Sequence, residues 1–341
     1  MRPLTLGLAA ALLPLFLLSH NVRAEDPEAV SPEFLRKAYL VNRDKFRSFS
    51  CTFDLARGSA ASQEAALAGK LSDVVRQRGA WKVDADEQLF ELVCLNKKDE
   101  ALPPIPPKSE NPRPGAFIST RCASKQILAN HRLTVMRYSL LSSPSLVGEF
   151  GRFVPITHTP IAMGAMGNNE SLGPGIHNNI VTKAGTSTSD FDGFQDTTDG
   201  KRVPTLRITT SRGPKDGSYT QFFLDPDYDY LPVEVRYFHL DNDQERMRVI
   251  VTKVRKAANG GYISDHVVEM NVSIRPLKVT ILDLDELNMA QPKASEMQMR
   301  VTDGQKLSIR KPEGLLPSVR VKGDTAFTLA QLEEIYNNAA P

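Results

Sequence analysis

From Leu206 to Leu282 short runs of alternating apolar and polar residues follow one another, each closed by a turn signal, and this pattern narrows the fold more than any other. Leu206 and Ile208, Phe222 and Leu224, and Val233, Val235 and Tyr237 lie on such runs, separated by Gly213-Pro214, Asp216-Gly217 and Asp225-Pro226. A period of two sends alternate side chains to one face of a sheet, and the intervening Gly, Pro and Asp pairs read as hairpin turns. Met247, Val249 and Val251 continue the series, and Asn259-Gly260-Gly261 reverses the chain. Val268, Met270, Val272 and Ile274 then alternate as one long strand, and Leu277 to Leu282 supply a last one. An antiparallel meander is the expectation.

A helix should precede it. Ser31 suits an N-cap, Pro32 the first helical position, and Val30 with Leu35 a hydrophobic staple. Leu35, Tyr39, Asn42 and Phe46 recur at helical spacing, so this helix has a face to lay on something apolar. Phe49, Cys51, Phe53 and Leu55 then alternate with polar residues, which changes the period to that of a strand. Residues 59–77 are Ala-rich and read equally as a short helix or a hairpin. Trp81 and Val83, Leu89 to Leu95, Phe117 to Cys122, Gln126 to Leu128 and Leu133 to Tyr138 carry strand character, with turns expected at Ser124-Lys125 and Asn130-His131. The Pro-rich stretch 102–115 cannot supply a ladder. From 142 to 203 no period persists, and a long loop is expected, of the kind used as a lid or binding loop. Thr328 with Gln331 forms a capping box for a C-terminal helix.

At the start, Arg2, an apolar stretch from Leu4 to Leu18 and the small-x-small triplet Val22-Arg23-Ala24 make an export signal cleaved after Ala24. The expected organisation is residues 1–24 as signal peptide, 25–284 as the sheet domain with its long loop at 142–203, and 285–341 as a C-terminal extension. The mature protein is then periplasmic or secreted, with no transmembrane segment of its own. Loss of Arg2 and Arg23 reduces 42 basic against 40 acidic residues to 40 against 40, which leaves no long-range field for polyanions. Nucleic acid is excluded as an expected partner. Cys51, Cys94 and Cys122 would meet an oxidising compartment. A Cys94–Cys122 bridge is favoured by their places at strand ends flanking the Pro-rich loop, with all three pairings open to the sequence; the alternative is that all three are small buried apolar residues.

The segments FFLDPDYDYLPVEVRY, from Phe222 to Tyr237, and MRVIVTKVRKAANGGYISDHVVEMNV, which follows from Met247, carry a family resemblance. Together with the helix-then-strand start from Pro32 to Leu55, they resemble the superfamily of periplasmic lipoprotein carriers and outer-membrane lipoprotein-sorting proteins. That resemblance implies an α+β, β-rich fold: a curved open antiparallel sheet, or half-barrel, with the N-terminal helix packed on it, long irregular loops and a C-terminal helix. It also implies an apolar cleft lined by Phe53, Phe222, Leu224, Val233, Val235, Tyr237, Val249 and Val251, able to shield an acyl chain. The same residues would equally fill a closed core.

Catalytic patterns are missing. There is no GxSxG elbow and no HExxH, and His131, His158, His177, His239 and His266 are scattered. No cofactor is expected. The acidic runs Asp190-Asp192-Asp196 and Asp225-Asp227-Asp229 space oxygens as calcium loops do, but lack the later bidentate Glu. The expected function is therefore a non-enzymatic binding protein that carries or senses a lipid or lipidated protein. The alternative is an envelope scaffold with a filled core that binds a protein partner.

Overall fold

The computed structural model describes residues 30–46, 48–84, 87–94, 117–122, 127–132, 135–140, 187–213, 216–239, 241–301, 306–311, 314–315, 319–320, 322–323 and 325–338. Helix α1 spans Pro32–Asp44, and the Ser31 hydroxyl accepts from the Phe34 amide at 3.1 Å, which is the cap expected. Leu35, Tyr39, Asn42 and Phe46 are its buried stripe. Strand β1, Ser48–Ala60, follows with buried residues at every second position through Leu55. Strand β2 covers Ser72–Asp84 and pairs with β1 along its length. Between them Gln63–Leu67 form helix α2, capped by Ser62. The Ala-rich region is thus both expected alternatives at once, a hairpin whose connection contains a helix.

Strands β3, Glu87–Cys94, and β4, Phe117–Cys122, extend the sheet on one side. A second sheet begins with β5, Ile127–Arg132, and β6, Val135–Leu140. The turn expected at Asn130-His131 falls inside β5, because both residues pair with β6. Strand β7, Ser187–Asp196, lies within the stretch expected to be a loop, and β8, Arg202–Gly213, begins at its end and carries the expected run of Leu206 and Ile208. The alternation there is hidden because β7 changes register against β8 between Phe191 and Phe194, where Gly193 takes a φ of +77°. The Pro-rich stretch, the leader and residues 141–186 lie outside the described residues.

The meander then runs as expected through β9, Asp216–Asp225, β10, Leu231–His239, β11, Glu245–Lys256, β12, Tyr262–Asn271, and β13, Leu277–Asn288. Strand β12 stops short of Val272 and Ile274, because Asn271 takes the amide and hydroxyl of Ser273 on its side-chain oxygen and starts a turn. Strand β13 brings the chain back beside β1, so the sheet has eleven strands in the order β4-β3-β2-β1-β13-β12-β11-β10-β9-β8-β7. Every ladder in it is antiparallel and its ends do not meet. This is the β-rich, open-sheet architecture with an N-terminal helix.

Past Asn288 the chain forms β14, Met299–Val301, β15, Lys306–Lys311, β16, Gly314–Leu315, β17, Val319–Arg320, β18, Thr325–Phe327, and helix α3, Leu329–Asn338. Thr328 and Gln331 cap α3 reciprocally, at 2.9 and 3.2 Å. Strand β15 lies parallel to β6 and completes the second sheet. The division expected after residue 284 falls within β13, and the C-terminal residues share a sheet with the middle of the chain.

The main sheet has two dressed faces. Helix α1 lies on one, over a core of Phe49, Phe53, Leu55, Phe222, Val235 and Val249. Helix α2 lies on the other, against Ile250, Val268, Met270 and Ile281. Gly79 is required beneath α1: it faces Phe53 in the ladder, and any Cβ there would overlap the phenyl ring.

Candidate ligand-binding site

The apolar stripe of α1 decides where the helix sits, and polar contacts at its two ends decide how firmly. At the C-terminal end Asn42 donates to the Tyr262 carbonyl at 3.0 Å and accepts from the Tyr262 amide at 2.9 Å, a two-way clasp onto the start of β12. Lys45 pairs with Asp229 at 2.8 Å, and Asn259 donates to the Lys45 carbonyl. Toward the N-terminal end Arg36 donates to Ser189 on β7. Phe34 and Ala38 are only half-buried there, and so are Phe191 and Phe194 on β7, whose rings meet edge to face at 5.7 Å. The edge of α1 toward β7 is therefore a half-buried apolar seam, while the opposite end of the helix is fastened.

Of the residues expected to line a cleft, Phe53, Phe222, Leu224, Val235 and Val249 are buried between α1 and the sheet. Tyr237 is half-buried one row further along, opposite Met247. Val251 packs against the edge of that same core, and with Val233 it also lines a cavity of about 510 Å³ that reaches the α2 side of the sheet. The bulge between Pro232 and Glu234 is what removes Val233 from the common row. Cys51 is buried on β1. Cys122 lies opposite Gln88, about six residues along β3 from Cys94, or ~20 Å, whereas a bridge needs Cα atoms about 5.5–6 Å apart. The register does not bring the pair together.

One titratable group escaped the sequence reading. Cross-strand register places Arg57, Thr280, Glu269, Val249, Val235, Phe222 and Leu206 in one row on the α1 face. Glu269 is 8% exposed and its Oε2 has no hydrogen-bond partner. Burial pushes its carboxyl up to about 8 from an ordinary 4.5, with Arg57 opposing the shift. Alternation alone could have found it, because Glu269 stands at a core position of β12 between Val267 and Asn271.

On the opposite face the buried acids are matched. Glu234 accepts from the Thr198 amide at 2.6 Å, the Thr198 hydroxyl at 3.0 Å and Arg236 at 2.6 Å. Asp225 takes Lys201 at 2.6 Å, and Asp227 takes the same ammonium at 2.7 Å. The Asp225-Asp227-Asp229 run thus holds lysines rather than spacing oxygens around a metal, and no metal-binding cluster occurs among the described residues. Nor does any helix among them have the length and apolarity to cross a membrane.

These features define the protein's class by construction: an open antiparallel sheet with one helix seated on an apolar face. No family model matches the chain, and no curated protein does. Among solved structures it is similar to a DUF1329 family protein from Desulfovibrio piger, with 11% identity over 76% of this chain and 93% of that one, at a TM-score of 0.43. It is also similar to a domain named for outer membrane lipoprotein sorting from Vibrio parahaemolyticus, with 11% identity over 78% and 97% of the two chains and a TM-score of 0.48. The MucA/MucB complex of Pseudomonas aeruginosa follows with 10% identity over 74% and 93%, at a TM-score of 0.26. No family assignment follows from likenesses of this size.

Proposed function

We propose that this protein is exported and, without catalysing a reaction, carries or senses a lipid or lipidated protein by taking an acyl chain between α1 and the sheet. The observation that carries the reading is the asymmetry of α1, clasped to Tyr262 at one end and edged by the half-buried Phe34, Phe191 and Phe194 at the other. Burial of a chain gains about 0.8 kcal/mol per CH₂, so twelve carbons offer roughly 10 kcal/mol. Lifting Phe34 and Leu35 off the sheet costs about 1.5–3 kcal/mol each, which the ligand outweighs. On this reading the chain is cleaved after Ala24 and works in an envelope or extracellular setting, where lipids and lipidated proteins are available as partners.

The test is native mass spectrometry of the mature chain from Glu25, purified gently from an exporting host. A lipid-sized adduct, or uptake of added dodecanoate or lipopeptide, that disappears in Phe191→Glu supports the reading. A bare mass with no uptake overturns it. The near-complete burial of Phe53, Phe222 and Val249 favours a second reading in that event, a scaffold with a filled core that docks an envelope protein.

A further inference from the structure

The ladder between β10 and β11 begins at Glu234–Ile250, and beyond that pair the two strands part. Register shifts prepare the parting: β10 slips against β9 between Pro232 and Glu234, and β11 slips against β12 between Val251 and Val254. Val233 and residues 251–254 consequently line the cavity of about 510 Å³ instead of pairing with one another. Leu67 of α2 and the turn from Thr197 to Lys201 complete its walls. The size falls within the range of about 300–1,000 Å³ that small-molecule sites occupy.

The chemistry of the lining decides what fits. An anion finds no spare cation, because Lys201 is held by Asp225 and Asp227, and Lys253 sits 2.7 Å from Asp265. A cation finds no unmatched buried acid, because Glu234, 1% exposed, and Asp225, 2% exposed, already have charged partners. A carboxylate has about four acceptor positions, and Glu234 and Asp225 each use three, which leaves capacity for a neutral donor. Thr252 adds a hydroxyl, and Val233, Ile250 and Leu67 add an aliphatic surface. A ligand that is uncharged, donates and accepts hydrogen bonds, and presents a C–H face satisfies all of these.

We infer that this cavity, separate from the seam under α1, binds a neutral sugar of one or two rings. The test uses the full mature chain in saturation-transfer difference NMR with glucose, N-acetylglucosamine, maltose and cellobiose. Glucose 6-phosphate, spermidine and tetra-alanine serve as the charged and peptide comparisons. The expected result is a saturable signal from at least one neutral sugar, exceeding that of glucose 6-phosphate and of spermidine. It should weaken about tenfold, or ~1.4 kcal/mol, when the cavity is filled by Thr252→Trp, and persist in Val41→Lys on the outer side of α1. Leu67→Trp fills the cavity from its other wall and answers the same question if Thr252→Trp does not fold. No signal from any neutral sugar, a signal that survives the folded filling variant, or a stronger response to tetra-alanine overturns the inference.

Discussion

The two faces of the same β10–β13 strands treat a buried carboxylate in opposite ways. On the α2 side Glu234 is wrapped by Thr198 and Arg236, so burial is offset by three charge-assisted or amide hydrogen bonds. On the α1 side Glu269 stands between Thr280 and Val249 with Oε2 unpaired, and burial drives it toward the neutral acid despite Arg57 further along the row. The difference lies in what the chain brings over each face. The β7–β8 turn folds its amide and hydroxyl donors onto Glu234, whereas α1 presents Leu35, Tyr39 and Phe46 to the other side. One face is set up for polar recognition and the other for an apolar one.

The largest expected effect breaks the matched side. Glu234→Ala leaves Arg236 and the Thr198 amide without their acceptor, and unpairing a buried charge costs about 3–5 kcal/mol. Urea unfolding at pH 7 should show a loss of that size with an unchanged m-value. A loss below about 1 kcal/mol would mean that Glu234 is not held as described.

The second effect belongs to the unmatched side and depends on pH. Below about 4.5 Glu269 is protonated whether the chain is folded or not. Between 4.5 and about 8 the unfolded chain releases the proton while the folded one retains it, so stability falls as pH rises, by about 1.4 kcal/mol per unit. Above about 8 both states are ionised and the loss stays constant. Glu269→Gln removes this dependence, so variant minus wild-type stability should climb from pH 5 to pH 8 and then level. A flat difference across that window would sink the assignment of Glu269 as a buried neutral acid.

The contrast also explains what the sequence could and could not reveal. The meander, the first helix and both caps were legible because each rests on local chemistry: alternation from Phe222 to Val251, Ser31 before Pro32, Thr328 before Gln331. Strand β7 was missed because the bulge at Phe191–Phe194 breaks the alternation that identifies a strand. The cavity was invisible for the same reason, since it arises from register shifts at Val233 and just past Val251, and pattern alone puts Val233 on one face with Val235. Which acid is matched depends on contacts across 36 residues between Thr198 and Glu234, and no local rule reports those.

A third effect concerns the seat of α1. Asn42→Ala removes both hydrogen bonds to Tyr262 and leaves a buried amide and carbonyl facing an alanine, at a cost of about 1–3 kcal/mol. If the clasp is what fixes the C-terminal end of the helix, hydrogen exchange should speed up at Tyr39 to Phe46 more than in β9 or β10. Uniform acceleration through the sheet would instead make Asn42 a general core residue, and the asymmetry of α1 would lose its basis.

The smallest effect sharpens the comparison from inside the matched face. Thr205 lies in the row Thr205–Phe223–Glu234–Ile250, is fully buried, and its hydroxyl has no hydrogen-bond partner. A hydroxyl that made no bond on folding has already forfeited its hydration, so replacing it with a methyl of similar volume removes a penalty without breaking a contact. Thr205→Val should be neutral or stabilise by up to about 1 kcal/mol, read as an unchanged or slightly raised urea midpoint. A loss of more than ~1 kcal/mol would show that Thr205 does bond to the network around Glu234, and the matched face would then extend one strand further than its acids indicate.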